Sequence, residues 1–301
     1  MDLFNLPNYE KNIKTFYGFG LGVWQTWQKP KGVKFIQMYL IGGGGGGSSG
    51  YTNNTSTVRL GGGGGGGSSQ SMGIFPSYVL PDTLYISVGM GGNGQTSSIS
   101  GTSGGISYVS VMPNILPINV ILASSNSGAT CSNVQTGGVA GSVFTAVNGI
   151  LSNLGIITTN GGGNGANGGT QASSPGGNTS LYMTSGGAGG GAITSGNTTA
   201  NGGGVSAGSL NPTISGGITT GILNGISNPY NYFSDGNISM KNPMLFSGGL
   251  GGASSTTSNG GNGGNGSYGC GGGGGGASTI GNGIGGNGGN GGNGLVIITC
   301  W

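Results

Sequence analysis

Histidine is absent from this 301-residue chain, and acidic residues number only four: Asp2, Glu10, Asp82 and Asp235. From 83 to 234 no side chain carries a formal charge. General acid–base catalysis needs groups that exchange protons near working pH, usually His, Glu, Asp or Lys. A nucleophilic Ser or Cys needs a base beside it. Their scarcity argues against an enzyme and leaves no expected catalytic residue. The three cysteines, Cys131, Cys270 and Cys300, form no CxxC pair. Without histidine they cannot complete a four-ligand zinc site, so no metal or other cofactor is expected. Their expected role is that of small buried hydrophobes.

Long apolar runs are missing too. No stretch approaches the 18 residues of a transmembrane helix, so no membrane insertion is expected. The N-terminus lacks a basic region followed by an apolar one, so no secretory signal is read there. Basic residues are few, and only Lys29, Lys31, Lys34 and Arg59 come near a patch. Solvated residues at strand edges explain them better than a nucleic-acid footprint does. A phosphate-binding loop would need GK[ST] after its glycines, and none follows.

What the chain has in excess is glycine, 80 of 301 residues. Such a composition without strict period usually marks disorder. Disordered chains are also poor in apolar residues and highly charged, whereas this one is 33% hydrophobic with net charge +3. Ordered structure is therefore expected. Alternation over 33–41 predicts a strand, with Val33, Phe35, Gln37, Tyr39 and Ile41 on one face. Further strands are predicted over 83–89, with Leu84, Ile86 and Val88 on one face, and over 106–111, 118–122 and 295–301. No helical stripe competes. The expected fold is all-β, a β-sandwich.

Four stretches are distinguished. Residues 1–22 form an aromatic leader, and 23–123 form a sandwich part containing two glycine blocks, 42–47 and 61–67. Residues 124–294 are rich in Gly, Ser, Thr and Asn, with only isolated apolar pairs such as Ile156-Ile157, and 295–301 form a closing strand. In the third stretch a period of three emerges. Asn259, Asn262 and Asn265 recur in GGN triplets, as do Asn287, Asn290 and Asn293. Three residues per turn is the period of a polyproline-II-type helix, which has no internal hydrogen bonds. With only 10 prolines the chain is not collagen. Polyglycine helices packed side by side would instead pair their backbones with neighbours, as buried peptide groups require. Long loops are the alternative for these blocks.

One segment concentrates aromatic residues and a rare charge: 228–235, containing Tyr230, Tyr232, Phe233 and Asp235. Aromatic side chains give rigid contact area at low entropic cost, so these four residues are candidate receptor contacts. A small core capping the glycine segments is the competing reading. Trp24, Trp27 and Trp301 are expected to be structural.

The order of motifs is itself informative: KPKGVKFIQMYLIGGGGGG, a second glycine block, LPDTLYISVGMGGNGQ, an ISYVSV strand, further glycine blocks and a closing GGNGLVIITCW. Over about 23–301 this series resembles the glycine-rich domain of bacteriophage tail-fibre and tail-tip proteins. There a P-x-G-V-x-x-I strand enters poly-Gly, and the domain closes on G-x-V-I-I-x-W. The resemblance implies a β-sandwich with glycine-rich helices or loops, in a virion surface protein that recognises a host receptor, either a saccharide or an outer-membrane protein. It further implies contacts with other virion proteins and an expectation of a homotrimer. The missing export signal fits assembly in the host cytoplasm, and the aromatics of the leader suggest packing either on the body of the protein or, as a docking segment, on a neighbouring virion subunit. The alternative is a purely structural virion protein, such as a capsid decoration or fibre shaft. Ice binding would need regularly spaced Thr, and Thr here is irregular.

Overall fold

The computed structural model describes residues 12–53, 58–96, 100–124, 128, 135–142, 152–169, 179–180, 184–206, 215–227, 247–279, 281 and 283–301. Nine strands build two antiparallel sheets. The first sheet has the order β1 (Ile13–Tyr17), β13 (Leu295–Cys300), β3 (Phe35–Ile41), β5 (Gln70–Pro76), β9 (Ile156–Asn160). The second has the order β2 (Trp24–Gln28), β6 (Thr83–Ser87), β7 (Tyr108–Ser110), β8 (Val120–Ala123). Two-residue strands β4 (Thr52–Asn53) with β12 (Ser278–Thr279), and β10 (Thr179–Ser180) with β11 (Val205–Ser206), make separate parallel pairs.

The sheets are held face to face by alternation. Ile36, Met38, Leu40, Phe75, Val296 and Ile298 project from the first sheet onto Trp27, Leu84, Ile86, Val109 and Leu122 of the second. All are buried, and each aliphatic or aromatic side chain so placed contributes roughly 1.5–3 kcal/mol. The sandwich is thus the all-β fold that the strand pattern predicts. The opposite face of β3 and β13 is covered as well, because Ile41, Leu295 and Ile297 pack on Cys270, with Tyr39 and Tyr268 alongside. Four of the nine strands were not anticipated: β1, β2, β5 and β9. Ile13–Tyr17, inside the stretch read as a leader, pairs with β13 as an edge strand. Ile156-Ile157, read as an isolated apolar pair, begins edge strand β9 on β5.

Above the sandwich the glycine segments form a lattice. Strands β3, β5, β6, β7 and β13 run directly into segments 42–51, 59–69, 88–96, 100–107 and 283–294. The continuation is smooth because a polyproline-II-type helix rises about 3.1 Å per residue, close to the 3.3 Å of a strand. Segment 270–277 is the clearest member. Gly271 and Gly274 donate to Ser185 and Ala188, Gly272 and Gly275 to Gly45 and Ser48, and Gly273 and Gly276 to Gly264 and Gly261. Its carbonyls accept in the same rotation. Gly271 and Gly274 receive Gly249 and Gly252, Gly272 and Gly275 receive Gly65 and Gly62, and Gly273 and Gly276 receive Gly289 and Gly286. Successive residues therefore address successive neighbours, which is the threefold rotation of the GGN period.

These six neighbours also bond to one another in a closed ring. Gly45 donates to Gly66, Gly187 to Gly65, Ala188 to Gly249, Gly261 to Ala253, Gly263 to Asn287 and Gly44 to Gly292. The result is a hexagonal bundle in which the glycine blocks 42–47 and 61–67 share one lattice with the segments beyond 184.

Close approach is why the residue must be glycine. None of the glycines in segment 270–277 has a positive φ, so conformational freedom is not the reason. A Cβ built on Gly274 would lie 1.9 Å from the carbonyl oxygen of Gly62, and one on Gly272 2.0 Å from that of Gly289. Gly269 is the exception: its φ of +70° turns the chain between two segments.

Candidate recognition surface

The bundle has two ends. One rests on the sandwich, and at the other the segments reverse through turns. Three reversals lie at this far end: 193–199, where Asn197 donates to Thr194; 218–222, where Gly221 donates to Ile218; and 255–259, where the Ser255 hydroxyl caps Thr257 and Ser258. A Cβ on Gly221 would have nothing within 4 Å.

Arg59 ties the 193–199 turn to β12. It is fully buried, Nη1 donates to Thr279 Oγ1 at 2.9 Å, and Nη2 donates to Thr194 O and Asn197 Oδ1, both at 2.8 Å. Its Nε has no partner among the described residues. Burial lowers the pKa of the guanidinium from its ordinary value. The sequence reading grouped Arg59 with solvated edge lysines, and the structure overturns that. Lys29, Lys31 and Lys34 sit at the sandwich end, where Lys29 pairs with Asp82 at 3.1 Å, whereas Arg59 is enclosed at the far end. Enclosure depends on which turns converge, which local sequence does not reveal.

The perimeter of the bundle explains the asparagines. A surface segment lacks a neighbour on one side, so one residue in three points outward and can carry a side chain. In the GGN triplets that residue is Asn, and its Oδ1 accepts the outward N–H of the next segment. Asn224 takes Asn262 N at 2.8 Å, Asn259 takes Ile284 N at 2.9 Å, Asn262 takes Asn287 N at 2.9 Å and Asn265 takes Asn290 N at 2.8 Å. Asn290 and Asn293 then take Gly94 N and Gly91 N. The relay crosses four rows on one face: 222–227, 259–265, 284–293 and 91–94. A second face repeats the device with Asn164 and Asn167, which accept from Ala140 and Gly137. The period was visible in the sequence. The capping role was not, because it joins rows distant in the chain.

The far end of the first face is concave. A depression of about 520 Å³ is lined by Leu223, Asn224, Ser258, Asn259, Gly260 and Asn262, among others, and carries no charged side chain. A second hollow of about 210 Å³ lies where sandwich and bundle meet, with Leu21, Trp24, Val88, Met90 and Ile115 in its wall.

Tyr230, Tyr232, Phe233 and Asp235 lie outside the described residues. The residues flanking that segment sit toward the sandwich end: Ser227 accepts from Asn265 N, and Ser247 N donates to Ser267. Cys270 and Cys300 are free thiols buried as expected, and Cys131 lies outside the described residues. Burial pushes the Cys270 thiol up to about 11. Among the described residues no cluster of His, Cys, Asp or Glu could hold a metal ion, and no helix is long and apolar enough to cross a membrane.

No curated protein matches the chain. Residues 20–153, from the entry into β2 through the first glycine segments and β8, match the family model of a glycine-rich domain.

Proposed function

We propose that the chain is a non-enzymatic virion surface protein, a tail-fibre, spike or tail-tip component, that recognises a host-surface receptor through the far end of its glycine bundle. The observation that carries this reading is the contrast between lattice and turns. Inside the bundle almost any side chain would collide with a neighbouring backbone, while at the far-end turns a Cβ on Gly221 meets nothing within 4 Å and one on Gly196 only Thr194 Oγ1 at 3.8 Å. Recognition residues concentrate on loops held by a rigid scaffold for that reason. The sandwich end, with β1 and the leader before it, is the side that would meet other virion proteins, as a monomer or within a homotrimer.

Binding of the purified protein to intact host cells tests the proposal. Two variants accompany it, one with 218–222 replaced by a Gly/Ser turn and one with Tyr230, Tyr232 and Phe233 changed to Ala. Saturable binding that is lost in the first variant, with its thermal unfolding intact, supports recognition at the far end. Loss only in the second moves the contact to the aromatic segment. Absence of binding by the unaltered protein, with incorporation into particles retained, leaves the structural virion role.

A further inference from the structure

We infer that the depression at the far end of the asparagine face is a binding groove for a neutral saccharide. This rests on the receptor-binding reading and chooses, between a glycan and a protein, the class that the groove fits. The argument starts from the amide groups. A backbone N–H can only donate, so each Asn that caps a neighbouring row must turn its Oδ1 inward. The Nδ2 group is then fixed on the other side. In the groove this applies to Asn224, Asn259 and Asn262, whose Oδ1 atoms are all engaged and whose Nδ2 groups bond to no described residue. The carbonyl of Gly260, in the same wall, accepts no hydrogen bond from the described residues.

The groove therefore offers held donors and a free acceptor, set by the lattice and spaced by its three-residue period of about 9 Å. Sugar hydroxyls both donate and accept, and their C–H faces need an apolar contact. Leu223 supplies that contact within the groove, with the exposed Ile222 next to it in the chain and the exposed Ile284, whose N–H is held by Asn259, in the adjoining row. No charge lines the site, so it has nothing to match an anionic sugar. The donors cost little entropy on binding, because capping has already ordered the side chains.

The test uses Asn→Asp, which retains the capping oxygen and removes the NH2 donors. The full-length protein is assayed against immobilised neutral hexose and N-acetylhexosamine oligosaccharides, and against host cells treated with periodate or with protease. N224D/N262D is compared with N164D/N167D, which makes the same change on the other face. The expected results are binding to a neutral oligosaccharide, weakened about tenfold or more by N224D/N262D because ligand hydroxyls lose partners, and unchanged by N164D/N167D. Cell binding should be lost after periodate and survive protease. Cell binding that survives periodate and is lost after protease overturns the glycan groove while leaving receptor binding standing. Equal oligosaccharide affinity of the two double variants overturns the placement. Absence of binding to untreated cells strikes the receptor-binding reading itself.

Discussion

Replacing Gly274 by Ala isolates the principle on which the bundle is built. The new Cβ would stand 1.9 Å from Gly62 O, 2.5 Å from Gly62 C and 3.0 Å from Gly190 N, where ordinary contact begins at 3.4 Å. The backbone at Gly62 must retreat by about 1.5 Å to restore that contact. Such a movement breaks two bonds, Gly190 N to Gly62 O and Gly62 N to Gly275 O, both 2.8 Å long. Overpacking costs about 1–3 kcal/mol, and two lost bonds add about 1–3 kcal/mol. Against this, Ala restricts the unfolded chain and returns about 0.4–1 kcal/mol. The net loss is on the order of 3 kcal/mol, which at about 2 °C per kcal/mol for a chain of this size lowers the Tm by roughly 6 °C. Gly221→Ala makes the same chemical change where a Cβ meets nothing and φ is not positive. Only the unfolded-state term remains, so the Tm should rise by about 1–2 °C. Scanning calorimetry of the two variants beside the parent decides the matter. A Gly274→Ala protein as stable as the parent would refute the claim that exclusion of Cβ dictates glycine here.

Two further outcomes are expected. Arg59→Met retains the aliphatic stem but leaves Thr194 O and Asn197 Oδ1 without their donor, at about 1–3 kcal/mol; hydrogen exchange should quicken in 193–199 and stay slow in 271–277. Stability should be level between about pH 5 and 8, where histidine is the usual titrating side chain and this chain has none. Above about pH 9 it should fall, because burial raises the acid pKa values of Cys270, Cys300 and Tyr39 in the folded state. The unfolded chain releases those protons first, binds fewer of them, and is favoured as pH climbs; thermal melts across pH 5–10 report the sign.

Local pattern accounted for what local physics controls. The alternation of 33–41 and 83–89 placed Phe35, Gln37 and Tyr39 opposite Ile36, Met38 and Leu40, and put Leu84, Ile86 and Val88 on one face, which the sandwich buries. The GGN period announced a threefold backbone. Edge strand β9 escaped notice because Ile156 is exposed and Thr158 and Thr159 give it no apolar face. Arg59 and the Asn caps escaped for a different reason. Their partners lie in other segments of the lattice, and nothing adjacent in sequence marks a turn as converging on another. The groove belongs to the same category, since Asn224 and Asn262 become neighbours only once rows 222–227 and 259–265 are side by side.

The hexagon around 270–277 also governs how the molecule can form. An α-helix closes its own bonds within a turn, so a short stretch can flicker into existence alone. Segment 270–277 has no such local option within 271–277, where every described backbone bond is made to another segment, including 45–48 near the opposite end of the chain. Loop-closure entropy must be met before any of those bonds is gained, and chains dominated by distant contacts fold slowly. Each segment is stable only in the company of the others. Assembly is therefore expected to be abrupt and late, with the sandwich strands aligning the segments that run out of them. Once closed, the bundle holds segment 270–277 on all six sides, so an unfolding force cannot peel it away before its neighbours part.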